Sequence, residues 1–411
     1  MKLTRSLLAL AVLSAVSSPA FADIEFDVIG GSEISFEGLL QADSYKYNSD
    51  FLNLGVTSGA SLGDGRNTDF GMRRAELVLK GKGPGMWNWV LGYDARADKF
   101  LDANISYRFS GFTTLKVGQF KQPNSLEELS STKNNDFIAK AMGTNLQGVA
   151  RRVGVSLGTG GDNWSITGSA FTRELTRNLG EGNGFGARAT WAPILDTGKI
   201  LHLGLSLVDY DARDAGSAAG VTPVLNGDGR ARFRVRPDAD LTGTRLVDSG
   251  QFTDADKIRT IGGESFWVTG PVKVQAEAMR TNVGRKMHSD YSFNSYYVSG
   301  VWNLTGETWT YKDGVPVTSL PNQPASGMWQ LGLRYDHVDL NDGSFTAPST
   351  VIGVLGGKES NWTVGVNWYL RSNFKLAMDY VKVSSERYNT VRKTFVKDDP
   401  SILELRAQLY W

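Results

Sequence analysis

Four arginines stand at alternate positions in Arg230-Ala231-Arg232-Phe233-Arg234-Val235-Arg236-Pro237. In an extended chain their guanidinium groups leave one face, about 6.7 Å apart. At that spacing neighbours repel by about 0.6 kcal/mol in water and about 2.4 kcal/mol at an effective dielectric of about 20. Such a row is expected to face water and the anions dissolved in it, and Pro237 ends the extended run. The chemistry on offer is anion recognition through charge-assisted hydrogen bonds. Two surroundings use the same electrostatics: the wall of a pore, or a solvated outer loop touching lipopolysaccharide phosphates.

The elements that must carry this row are strands. Apolar residues alternate with polar ones in Leu201, Leu203, Leu205, Leu207 against His202, Gly204, Ser206, and in Trp362, Val364, Val366, Trp368, Leu370 against Asn361, Thr363, Gly365, Asn367. The same period of two recurs at Trp329–Tyr335 and Phe374–Tyr380, with aromatics at the ends of the apolar face, as in an interfacial girdle. Such runs predict sixteen strands, at 34–46, 68–80, 86–96, 100–109, 112–121, 151–158, 163–173, 184–192, 198–210, 257–269, 271–281, 291–303, 327–339, 358–370, 372–385 and 401–411. An even count fits a closed single-chain transmembrane barrel. Tight turns such as Gly81-Lys82-Gly83-Pro84-Gly85 and Thr269-Gly270-Pro271 alternate with long stretches at 47–67, 122–150, 211–256, 340–357 and 386–400. That asymmetry is the short-periplasmic, long-external pattern of such barrels. One link, 304–326, is long on the short-turn side, which predicts a segment folded into the lumen or acting at the periplasmic mouth.

Composition sets the compartment. Residues 1–22 read as a secretory signal peptide: Lys2 and Arg5 lead an apolar run that ends in Ala20-Phe21-Ala22. The barrel then occupies 23–411. Without Lys2 and Arg5, 42 of the 44 basic residues face 43 acidic ones, so no excess charge points to nucleic acid and any anion preference is local. No cysteine is present, which leaves neither disulfides nor a thiolate metal site. Glycine at 47 residues and aromatics at 11% fit an outer-membrane barrel. The last strand puts Leu403, Leu405, Ala407, Leu409 and Trp411 on one face and ends on an aromatic residue.

Three further pieces sharpen the picture: Val117-Gly118-Gln119-Phe120-Lys121-Gln122-Pro123 with Ser125-Leu126-Glu127-Glu128-Leu129-Ser130-Ser131, Leu304-Thr305-Gly306-Glu307 with Tyr311 and Gly314, and Met72-Arg73-Arg74-Ala75. Together with the arginine row they resemble the phosphate-selective porins of the O/P type, over most of the mature chain. The resemblance implies a homotrimer of sixteen-stranded barrels in the bacterial outer membrane, beside lipid and lipopolysaccharide. It also implies that loops three (122–150) and five (211–256) and the long turn narrow each pore. Phosphate, polyphosphate or other small anions would pass without any cofactor. Lys121, where the third loop enters the barrel, becomes the foremost candidate ligand of a central site. Lys133 and Lys140 lie further along that loop, and Ser125, Ser130 and Ser131 offer hydroxyls. At position 133 lysine brings a point charge where an arginine would bring a fork.

Parity assigns the remaining candidates. With Ala75, Leu77 and Leu79 on the lipid face, Arg74 and Glu76 point inward, and Arg73 does so only if a bulge intervenes. Arg152 has inward parity opposite Val153 and Val155. Asp94 is open to two readings: acceptor for a pore lysine, or partner in a structural salt bridge. Enzymatic readings are poor. Gly154-Val155-Ser156-Leu157-Gly158 lies inside a strand rather than on an elbow, and His202, His288 and His337 lack metal or triad spacing. The expected function is thus an anion-selective porin. The alternatives are a general or organic-anion porin on the same scaffold, or a structural or receptor barrel.

Overall fold

A computed structural model describes residues 26–28, 32–55, 67–109, 111–176, 182–212, 229–346, 350–371 and 373–411. The expected signal peptide, 56–66 of the first long loop and 213–228 of the fifth lie outside the described residues. The chain forms a closed antiparallel barrel of sixteen strands. The first eight are β1 (Ser32–Asn48), β2 (Thr68–Lys82), β3 (Trp87–Asp94), β4 (Lys99–Arg108), β5 (Thr114–Lys121), β6 (Arg151–Gly160), β7 (Trp164–Phe171) and β8 (Gly184–Asp196). The second eight are β9 (Lys199–Asp211), β10 (Phe252–Thr269), β11 (Val272–Arg285), β12 (Tyr291–Asn303), β13 (Met328–Thr346), β14 (Thr350–Leu370), β15 (Phe374–Asn389) and β16 (Ser401–Tyr410). Closure comes from β1 on β16, in register from Leu39↔Tyr410 to Asn48↔Ser401. Closure leaves no open sheet edge between β1 and β16 in the hydrocarbon, as the membrane demands.

Alternation sorts the two faces. Leu205, Ile261, Leu333 and Val364 are exposed on the outside, while His202, Gln330, Asp379 and Glu404 are buried within. Exposed Trp87, Trp164, Trp191, Trp267, Trp302 and Trp329 gather at the short-turn end, and Tyr296, Trp362 and Tyr380 at the other. These are the two aromatic girdles.

Two expected loops are strand instead. Residues 340–346 and 350–357 extend β13 and β14, which stay paired up to Thr346↔Thr350. Within 386–400, Thr394–Asp398 pairs back onto Ser385–Asn389. Above the membrane neither face meets lipid, so the hydropathy pattern ends while the hydrogen-bond ladder continues. The long turn after β12 does fold into the lumen. It carries a hairpin, Trp309–Lys312 on Val315–Thr318, whose turn has Asp313 at φ 52° and Gly314 at φ 75°, suited to a tight reversal. Arg188 Nη2 donates to Gly314 O at 2.7 Å and His202 meets the Tyr311 hydroxyl at 3.0 Å, so its tip is held high inside the barrel.

Candidate functional site

The lumen is filled mainly by the third loop, built from a short helix Leu126–Leu129, a 3₁₀ turn Thr132–Asn134 and a helix Met142–Gln147. Its backbone is clamped to the far wall. Glu277 of β11 accepts from Leu126 N and Glu127 N, both at 2.8 Å, and Asp379 of β15 accepts from Ile138 N at 2.7 Å. In return Arg334 of β13 donates to Ala139 O at 2.9 Å, Arg406 of β16 to Ile138 O at 2.7 Å, and Lys375 of β15 to Asn135 O at 2.6 Å. Gly143 closes the fit: a Cβ there would lie 2.3 Å from Ser295 Oγ and 2.9 Å from its Cβ. Gly143→Ala should therefore push the helix off β12 at a cost of about 1–3 kcal/mol, read as a lower urea midpoint of the folded barrel.

Pressing the loop against β11–β16 leaves the passage on the side of β4–β8. A chamber of about 500 Å³ remains there, lined by Lys116, Lys121, Arg151, Arg188 and Lys312 against the acids Asp102 and Asp313. Arg151 donates twice to Asp102 Oδ2, at 2.8 and 3.0 Å, and Arg188 is held by Glu264. Lys116 lies 5.6 Å over the Phe120 ring. Lys121 lines the chamber, but its ammonium also donates to Glu128 O, and to Ser130 O at 3.2 Å. Burial alone would raise the Glu128 carboxyl; Lys140 at 2.6 Å and then Lys121 pull it down to about 2. Ser130 and Ser131 border the same space, whereas Ser125 caps the short helix through Glu128 N at 3.3 Å.

The arginine row lies above, with the alternation expected of it. Ala231, Phe233 and Val235 are buried; Arg232 and Arg234 are exposed, Arg230 and Arg236 half-buried. The apolar side packs on Met142, Phe252, Tyr291 and Phe293, so this loop also folds inward. Arg232 pairs with Asp248, and Arg236 donates to Thr242 O at 2.6 Å. The row continues into the wall through Asp240, 2.7 Å from Arg73 and 3.9 Å from Arg406.

Both Arg73 and Arg74 are inside. The β1–β2 register runs Gln41↔Arg74 and then Ala42↔Met72, leaving Arg73 as the extra residue of a bulge. Arg74 pairs with Glu76 at 3.1 Å, and Glu76 and Glu128 both lie within electrostatic reach of Arg151. Cations thus follow one another from the arginine row past Arg73 and Arg74 to Arg151 and Lys121.

Other candidates are placed differently. Lys133 is at the barrel seam, 3.3 Å from Glu37 and 3.4 Å from Trp411 O, not in the chamber. Asp94 takes neither role foreseen for it: its Oδ1 accepts from Ala75 N, Arg96 N and Ala97 N and so shapes a turn. Parity favours Arg152, yet Arg151 lines the chamber, while Arg152 donates to Arg151 O at 2.8 Å. The pleat is broken nearby at Gly118, whose φ is 122° and where a Cβ would lie 2.3 Å from Ala103 O, so no side chain is admitted. Arg188, Lys116 and Lys312 escaped notice because each is a single cation in an ordinary strand or turn. Arg245 escaped as well; burial, then Arg236 and Arg234 beside it, push its guanidinium down to about 10.

Comparison with known proteins agrees with this architecture. The family model "Phosphate-selective porin O and P" matches residues 46–411. The chain is 26% identical to Porin O of Pseudomonas aeruginosa over 92% of both. Among solved structures it is similar to the anion-selective porin of Comamonas acidovorans (TM-score 0.53, 13% identity, 92% of this chain and all of that one). It is likewise similar to OmpT of Vibrio cholerae (TM-score 0.55, 10% identity, 94% of this chain and all of that one). At such identities the structures speak for the fold.

Proposed function

This chain belongs to the phosphate-selective porin O and P family and is an outer-membrane porin, and on that footing we propose that it passes anions, phosphate above others, by passive diffusion. The observation that carries the reading is the set of cations that line the lumen, from the inward-folded arginine row through Arg73 and Arg74 to Arg151, Lys121, Lys116 and Lys312 in the chamber. Anions enter at the arginine row, where several spaced charges bind well enough to admit and weakly enough to release. They then pass between Lys121, Arg151 and Lys116, where a partly dehydrated oxyanion gains charge-assisted hydrogen bonds. The proposal extends to a homotrimer bordered by outer-membrane lipid and lipopolysaccharide, which crosslinking in native membranes tests.

Single-channel recording in potassium chloride, with phosphate titrated in, is the direct experiment. Anion preference with phosphate block supports the proposal; cation preference overturns it. Replacing Arg232 and Arg234 by Gln should lower the chloride preference most at low salt. The difference from the parent should shrink toward 1 M salt, where screening acts within about 3 Å.

A second reading, an organic-anion porin, has one observation in its favour. Phe120, Leu129, Val315 and Val317 give the chamber an apolar side facing the cations. Stronger block by phenylphosphonate than by phosphate would favour it.

A further inference from the structure

Behind the two inward loops, one guanidinium faces an excess of carboxyls. Arg334 is 1% exposed, with Asp238 of the fifth loop at 3.0 Å and Glu127 of the third at 3.7 Å. Asp336, two residues along β13, is fully buried and accepts from Met142 N at 2.5 Å. Asp238 is 2% exposed, is held at φ 49° and lies beside Asp336, and both its oxygens and Asp336 Oδ1 are buried without a hydrogen-bond donor. Further acids face the joint from the remaining elements: Glu359 on β14, Asp379 on β15 and Glu404 on β16. The nearby cation Arg406 is already bidentate to Asp43 at 2.7 Å, and Lys375 is bound to the third loop. Burying that many charges beside a single arginine is prohibitive. Two neighbouring buried carboxyls resolve it by sharing one proton.

We propose that Asp336 is a positioning residue for the anion path: it shares a proton with Asp238, and that proton keeps the arginine-bearing fifth loop seated in the lumen. The inference rests on the reading of Arg230–Arg236 as pore lining. Burial pushes the Asp238 carboxyl up, against the pull of Arg334, so the seated loop holds a proton that the free loop would lose. A group whose ionisation is raised in this way stabilises the seated state at low pH, and the stabilisation is lost as pH rises. With the proton gone, Asp238 and Asp336 repel across the joint. The loop four residues downstream of Arg234 then lifts, carrying the arginine row away from the passage.

The test is recording of the full-length protein in planar bilayers under a potassium chloride gradient, from about pH 5 to about pH 9. The parent should lose anion preference several-fold and gain conductance as pH rises. Asp336→Asn, whose amide donates to Asp238 without titrating, should keep the low-pH values throughout, and so should Asp238→Asn. Both variants retain the lumen lysines, so a drift shared with them belongs to those lysines. A parent with pH-independent anion preference, or Asn variants that follow the parent, would overturn the latch alone. Cation preference already at pH 5 would overturn the pore reading beneath it.

Discussion

Lys121→Ala should weaken phosphate block of the chloride current by about tenfold or more, because a hydrogen bond to a charged group contributes about 1.5–3 kcal/mol and about 1.4 kcal/mol is tenfold. The side chain borders the chamber beside Arg151 while two of its donors are engaged by Glu128 O and Ser130 O. It therefore has two roles that the measurement must separate. If only the ligand is lost, unblocked chloride conductance stays near the parent value and the blocking constant moves. If the root of the third loop is loosened, conductance and current noise rise together and selectivity falls for all anions alike. An unchanged blocking constant would remove Lys121 from the site and leave Lys116 and Arg151 to carry it.

The largest loss of stability is expected at the seam. Asp43 and Arg406 stand directly opposite in the β1–β16 ladder, both nearly inaccessible, and are joined by two hydrogen bonds of 2.7 Å. A further donor of Arg406 holds Ile138 O of the third loop. Arg406→Ala leaves a buried carboxylate without its partner, which costs about 3–5 kcal/mol. The expected result is a clearly lower urea midpoint for the barrel in lipid. Arg406→Lys, which keeps charge but not the fork, should fall between. Asp43→Asn together with Arg406→Leu should recover part of the loss, since both ends of the pair are then gone. A midpoint unmoved in Arg406→Ala would mean that Asp43 finds another partner across the seam.

Sixteen strands were legible because lipid imposes a hydropathy contrast on every membrane-crossing residue: Leu205 outside and His202 inside need no tertiary information. Where that contrast ends, legibility ends too. The β13–β14 hairpin above the membrane read as loop, since without lipid on one side its apolar residues, such as Val351, Ile352, Val354 and Leu355, follow no period of two. The Arg230–Arg236 row was visible because one side of it packs on Phe252 and Tyr291, which enforces period two even in a loop. The bulge at Arg73 was foreseeable only as an alternative, because a register shift is a property of a pair of strands. Arg151 displaced Arg152 for a related reason: parity fails where the chain turns inward, just beyond the broken pleat at Gly118. Arg188, Lys312 and Arg245 become neighbours of the passage only through the hairpin and the loop that fold against them, and no local pattern announces that.

The clamped third loop has a consequence for the order of assembly. Its anchors lie far ahead in the chain, at Glu277, Arg334, Asp379 and Arg406, and Lys133 reaches the carbonyl of Trp411, 278 residues away. None of them exists as a surface until β11 to β16 are in place, and the last only when the seam has shut. Contacts of such separation form late. The third loop therefore cannot be fully anchored before the barrel has closed, so its narrowing of the lumen follows closure rather than preceding it.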